Sequence, residues 1–218
     1  MTAVGKFVAA EAVCGFAWVI TGVRANWVGC VPEAKRRVYF ANHNSHGDFV
    51  LIWSVLPRDL RARTRPVAGA DYWLKDKARR FVGADVFRAV LIERDPEKRD
   101  RDPIAQMAEA LDDGASLILF PEGTRNTTET RLLPFKSGLY HLASTRPDVE
   151  FVPVWIENLN RVLPKGELVP VPLLCTVTFG TPIMIEPEET KDAFLHRARD
   201  GLLAIAPRDA APTPPVLT

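Results

Sequence analysis

Short apolar runs alternate along the chain with longer stretches of mixed character. Val38–Ala41, Arg65–Ala68, Val86–Ile92, Leu117–Phe120, Phe151–Ile156 and Thr176–Phe179 have the length and composition of strands. Leu117-Ile118-Leu119-Phe120, apolar without interruption, is the pattern of a strand covered on both faces. Between these runs, His46–Leu56 (stopped by Pro57), Asp71–Val82, Pro103–Leu111, Ser137–Ser144 and Glu188–Ala206 read as helices. Asp71 is a plausible cap, and Pro103 in a first turn with Gly114 just past the end follows the usual helix asymmetry. Strands alternating with helices predict an α/β fold: a single-domain sandwich with a largely parallel sheet flanked by helices.

The N-terminal stretch Val4–Val23 breaks this rhythm. Val4, Val8, Ala9, Ala12, Phe16, Val19, Ile20 and Val23 share one side of a helical wheel, with Lys6, Glu11, Thr21 and Arg24 on the other. A span needs about 20 predominantly apolar residues, so two charges make this one marginal, and Glu11 falls where a signal peptide would be apolar. The reading is an amphipathic helix in a membrane interface, with Trp18 and Trp27 at headgroup level; a core helix of the soluble domain fits the same wheel. The expected organisation is a membrane-associated helix over 1–31, a domain over 32–206 and a Pro-rich tail over 207–218. That tail, with Pro212, Pro214 and Pro215, is expected to stay disordered.

Composition narrows the picture slightly. A chain of 218 residues suits one core, and a net charge of +1 gives no global attraction to nucleic acid or membrane. Cys14, Cys30 and Cys175 are odd in number and outside metal-ligand spacing, which points to free thiols in a reducing compartment. Charge is concentrated locally. Residues 58–80 carry eight Lys or Arg against three Asp, interleaved with Tyr72 and Trp73. Such a segment suits an anionic lipid surface at about 1 kcal/mol per basic residue, or equally a solvated helix face. No nucleic-acid module accompanies it.

Two clusters carry candidate chemistry. In Asn42-His43-Asn44-Ser45-His46-Gly47-Asp48 a strand ends and a helix begins. On one continuous helix His43 and Asp48 would point about 140° apart, so they meet only if the chain turns between them. Joined, they form a general base and the carboxylate that orients it. Apart, Asp48 is a helix-start carboxylate and His43 a strand-end histidine. His46 competes for the base role, and His141 and His196 are too isolated to complete a metal site. The second cluster, Phe120-Pro121-Glu122-Gly123-Thr124-Arg125, follows the buried strand, where α/β proteins carry functional loops. Gly123 permits close backbone approach, Arg125 offers a planar fork to phosphate oxygens, and Lys136 sits at a helix start suited to an anion. Glu122 either orients Arg125 or contacts an acceptor, and a plain surface pair with Arg125 is the alternative. Arg94 ends Val90-Leu91-Ile92-Glu93-Arg94, with a salt bridge to Glu93 or Asp95 as its ordinary reading. P-loop, dinucleotide and nucleophile-elbow patterns are missing.

In order, these pieces resemble the glycerolipid acyltransferase family that includes the PlsC-like lysophosphatidic acid acyltransferases. Asn42, His43, Ser45 and Asp48 are similar to its first motif, and Phe120–Arg125 to its third without a gap. The strand reaching Arg94 resembles its second and Val152-Pro153-Val154 its fourth. The resemblance covers residues 37 to 182. It implies that His43 is the general base and Asp48 its partner, and that Arg94, Glu122, Gly123, Thr124 and Arg125 bind the acceptor's phosphate or glycerol. It implies a lysophospholipid acceptor, with acyl-CoA or acyl carrier protein as co-substrate, no metal and no other cofactor. The expected place is the cytoplasmic face of the inner membrane, peripheral or monotopic. One departure bears on the acceptor. Arg88 and Leu91 replace a Gly and an aromatic of the second motif, which would suit another head group. A non-catalytic lipid-binding protein of the same fold is the alternative from a different class. The polar stretch Asn158, Asn160, Arg161 and Lys165 follows the fourth motif and is a candidate for head-group selection.

Overall fold

Residues 3–45, 47–157 and 174–207 are described by a computed structural model. His46, Asn158, Asn160, Arg161, Lys165 and the tail from 208 lie outside the described residues. The elements run α1 (Ala3–Thr21), β1 (Arg24–Trp27), β2 (Arg37–Ala41), α2 (Asp48–Val55), α3 (Arg58–Arg63), β3 (Thr64–Gly69), α4 (Ala70–Trp73) and α5 (Lys77–Arg80). After a π-helical turn (Phe81–Val86) come β4 (Val90–Ile92), α6 (Pro103–Asp112), β5 (Ser116–Leu119), α7 (Gly138–Thr145), β6 (Glu150–Glu157), β7 (Thr176–Phe179) and α8 (Lys191–Ala204).

The strands form one seven-stranded sheet in the order β1-β7-β6-β2-β5-β3-β4. Every pairing is parallel except β6 with β7. Its centre is β2, whose five residues are all buried. Alternation along the strands divides the core. Tyr39, Ala41, Ile118, Val152 and Val154 face α1, α2 and α3, whereas Val38, Phe40, Leu117 and Phe151 face α6, α7 and α8. Each large apolar side chain buried in this way contributes about 1.5–3 kcal/mol. At the amino end of β2 the buried Arg37 pairs in register with Glu150, donating from Nε to Oε2 at 2.8 Å, and gives a second bond to the Val31 carbonyl at 2.7 Å. That end therefore serves as a structural clamp, leaving the carboxyl ends of the strands for chemistry.

Several helix starts are fixed by side chains. Asp102 accepts from the Ala105 amide with Pro103 at the first turn, and Thr190 accepts from Ala193. Asp71 caps nothing; α4 starts from Gly69, and it is Asp76 that caps α5. The expected helix over 71–82 is thus three short pieces. Gly83 is in the last of them because the Trp73 ring lies where a Cβ would sit, 2.7 Å from Cε3. The strand expected from Val86 begins only at Val90, because the chain reverses through Arg88, a non-glycine residue at φ +53°.

The N-terminal region differs most from expectation. Residues Arg24–Trp27, placed within a leader by the sequence reading, pair with β7 as the edge of the sheet. α1 is not divided into one apolar and one polar side. Cys14 and Ala17 enter the core, while Phe7, Val8, Phe16, Trp18 and Val19 stand exposed on the outer side. Its one carboxylate, Glu11, is turned to Arg61 at 2.6 Å and Arg58 at 3.3 Å on α3. Among the described residues, no helix is long and apolar enough to cross a membrane.

Candidate active site

At the carboxyl end of β2 the chain leaves the sheet through Asn42. Its buried side-chain amide donates to the Ile156 carbonyl at 3.0 Å and accepts from the Ile156 amide at 2.8 Å. This two-bond bridge extends the β2–β6 pairing by one residue and fixes where His43 begins. Between His43 and Asp48 the chain turns as the chemistry requires. Asp48 opens α2, and its Oδ2 lies 2.9 Å from His43 Nδ1. The same oxygen accepts the Asn44 amide at 2.7 Å and the Ser45 amide at 2.8 Å. An acceptor-only carboxylate against Nδ1 fixes a proton there and leaves Nε2 as the basic nitrogen. Asp48 is buried while His43 keeps a 17% exposed side chain, so the base reaches solvent and its partner does not. Oδ1 of Asp48 is buried with no hydrogen-bond partner among the described residues.

The loop after β5 packs directly on this pair, because β5 is the neighbour of β2. Phe120 stacks on the His43 ring at 4.2 Å. Glu122 is 2% exposed; one carboxylate oxygen accepts the His43 amide and the other the Leu133 amide, both at 2.8 Å. Burial pushes its carboxyl above the ordinary carboxylate range, against the downward pull of the two amides and of His43. The Asn126 amide returns a bond to the His43 carbonyl at 2.6 Å. Gly123, at φ +69°, lies under the methylenes of Lys136, which a Cβ would meet at 2.7 Å. The positive φ favours glycine there, and a Cβ would also displace the end of the Lys136 side chain.

His43 and Asp48 meet. Thr124 and Arg125 are exposed on the loop whose next residue bonds the His43 carbonyl, and Lys136 folds back over Gly123. Among the described residues the Arg125 guanidinium and the Lys136 ammonium have no ion-pair partner. Glu122 turns its two oxygens to backbone amides and has almost no exposed surface. Arg94 follows β4, two strands beyond β5 and therefore about 10 Å from it by strand spacing. It lies on the same edge of the sheet but not against His43. Neither expected neighbour holds it; its side chain is 60% exposed, 3.9 Å from Asp71. Asn126 and the Leu133 amide are supports with no signal in the sequence, whereas Asn42 stands in the motif-like segment directly before His43.

Two concavities lie elsewhere. One of about 750 Å³ is lined by α8 with Thr181 and Ile183, and one of about 450 Å³ surrounds Cys30 and Arg37 at the amino end of β2.

Comparison with known proteins gives this geometry a family. The model of the Acyltransferase family matches residues 28–157. A 1-acyl-sn-glycerol-3-phosphate acyltransferase of Cocos nucifera is 32% identical over 175 residues, 75% of this chain and 54% of that protein. One from Haemophilus influenzae is 30% identical over 142 residues, 59% and 53% respectively. This chain spans about half the length of these curated relatives. The crystal structure of the 1-acyl-sn-glycerophosphate (LPA) acyltransferase PlsC from Thermotoga maritima shares the fold, with a TM-score of 0.69 at 20% identity over 90% of this chain and 76% of that one. With the family model covering more than half of its residues, among them the His43–Asp48 pair and the Phe120–Arg125 loop, this chain belongs to the Acyltransferase family.

Proposed function

We propose that the protein transfers a fatty acyl group from acyl-CoA or acyl carrier protein to the free hydroxyl of a lysophospholipid, 1-acyl-sn-glycerol-3-phosphate, giving phosphatidic acid. The observation that carries this reading is the 2.9 Å contact of His43 Nδ1 with Asp48 Oδ2, which turns Nε2 away from the carboxylate, beside a loop whose Arg125 and Lys136 have no ion-pair partner among the described residues. Nε2 takes the proton of the acceptor hydroxyl as its oxygen attacks the thioester carbonyl. The Asp48 carboxylate stabilises the imidazolium so formed, and the proton leaves with the thiolate when the tetrahedral intermediate collapses. Arg125, with Thr124 and Lys136, holds the acceptor phosphate, and Arg94 reaches toward it from the far side of the edge.

The acceptor is a membrane lipid, and the protein is proposed to meet it from the cytoplasmic face as a peripheral or monotopic enzyme. The exposed Phe7, Val8, Phe16, Trp18 and Val19 of α1 support this reading. A panel of acceptors tests the assignment. The purified chain is supplied with acyl-CoA or acyl carrier protein and with lysolipids of different head groups in vesicles, and products are read by mass spectrometry. Phosphatidic acid as the main product supports the reading. Preferential acylation of a head group other than phosphate overturns the acceptor, and free fatty acid without a new phospholipid overturns the reaction class.

A further inference from the structure

We infer that Glu122 is a positioning residue for His43, a strut between the end of β2 and the loop after β5, and not a ligand of the acceptor. The inference rests on the reading above, in which His43 is the base. It starts from connectivity. Glu122 is the described acceptor for the His43 amide, at 2.8 Å, and its second oxygen ties in Leu133 at the same distance. The carboxylate therefore joins three segments: the turn that bears the imidazole, its own loop, and the segment that leads to Lys136. Phe120, two residues before it, holds the face of the same ring at 4.2 Å. One stretch of chain thus fixes both the plane of His43 and its backbone.

The residue type fits this role better than substrate contact. A carboxylate only accepts, so it can face two N–H groups at once. Glutamine would set an NH2 against one of them, and aspartate, shorter by one methylene, would reach only one. A group that touches a polyhydroxy substrate needs surface, and Glu122 is 2% exposed. Burying it is also unfavourable, as the raised carboxyl shows. A buried charge that destabilises the protein yet is fully hydrogen-bonded is better suited to holding geometry than to adding stability. The cationic loop does not need it to the same degree. Gly123 donates to the Phe120 carbonyl, Lys136 to the Pro121 carbonyl, and the Asn126 side chain to the Thr130 carbonyl, all without Glu122. Loss of the strut should therefore disturb the base more than the phosphate site.

The test uses the full chain in vesicles, with acyl-CoA and lysophosphatidic acid, and the variants Glu122→Gln and Glu122→Asp. The expected result is a fall in kcat of about 10- to 100-fold for Glu122→Gln, the scale of a sub-ångström to 1 Å misplacement, with acceptor KM within about threefold of wild type. Glu122→Asp falls between. A readout independent of activity accompanies it: in Glu122→Gln the His43 backbone amide proton moves upfield and its hydrogen exchange accelerates. A rise in acceptor KM of about tenfold at unchanged kcat would make Glu122 an acceptor ligand, and unchanged kcat with an unchanged His43 amide would remove it from the site altogether. Should Glu122→Gln fail to fold by circular dichroism, Glu122→Asp carries the same measurements. If wild-type protein transfers no acyl group, the proposed function fails by itself, and the His43 amide still decides whether the strut exists.

Discussion

Asp48→Asn isolates the electrostatic half of the proposed mechanism, because it keeps the shape of the turn and removes the charge. Oδ2 of Asp48 accepts three hydrogen bonds, from His43 Nδ1, Asn44 and Ser45, in a site that is 1% exposed. An asparagine carbonyl in that place can keep the His43 Nδ1 bond and one of the two amide bonds, so the imidazole tautomer is retained and the turn largely so. What is lost is the charge opposite the imidazolium. At an effective dielectric of about 20 a pair 4 Å apart is worth about 4 kcal/mol, and the remaining neutral bond about 1 kcal/mol. A net loss of about 2–3 kcal/mol in the transition state corresponds to about a 30- to 150-fold lower kcat. A second cost falls on the fold. The new NH2 occupies the position of Oδ1, which has no partner among the described residues, and a buried unsatisfied donor costs about 1–3 kcal/mol. Initial acylation rates at saturating donor measure the first effect and a thermal melt the second. A folded Asp48→Asn protein with kcat within about threefold of wild type would refute the carboxylate's role.

Three further outcomes follow from other parts of the molecule. Arg88 holds φ +53°, which costs a side-chain-bearing residue about 1–2 kcal/mol, while glycine returns about 0.5–1 through its unfolded-state freedom. The bond from Arg65 goes to the Arg88 carbonyl and survives substitution, so Arg88→Gly should leave the melting temperature equal or higher, by up to about 4 °C; a fall of more than about 2 °C would contradict this. Because the Glu122 carboxyl is raised in the folded state, its contribution to stability is full below the unfolded carboxylate value and is lost as pH rises through the folded value. Urea titrations at several pH values should therefore show wild type gaining on Glu122→Gln as pH falls from about 7 to 4, and the reverse trend would show that the carboxyl is not raised. Arg125→Ala should raise acceptor KM by about tenfold, the scale of a lost charge-assisted contact, and leave donor KM unchanged; a defect confined to the donor would move Arg125 out of the phosphate site.

The sheet was readable because its central strands are buried on both faces and so carry unbroken apolar runs, as at Leu117-Ile118-Leu119. The site was readable because its polar residues stand where such runs stop. The edge strand Arg24–Trp27 gave no such signal, since three of its four residues are exposed. The exposed apolar surface of α1 could not be told from core by a wheel, because both of its sides are apolar and only the fold decides which is covered. The fragmentation of 70–86 depends on Trp73 packing onto Gly83, a contact between residues ten apart that periodicity does not encode. The contacts of Glu122 were not legible for a different reason. Its carboxylate faces two backbone amides, one of them 79 residues away, and backbone donors leave no trace in side-chain patterns. Conversely, the pairing of His43 with Asp48 was predictable as a condition, a turn between them, and the turn is present.

The most direct test of the account is His43→Ala in the acyl-transfer assay, with purified protein, acyl-CoA or acyl carrier protein, and lysophosphatidic acid in vesicles. The account predicts that phosphatidic acid formation falls to background while circular dichroism and the melting curve remain those of a folded protein. Turnover at the wild-type rate in that variant would contradict it.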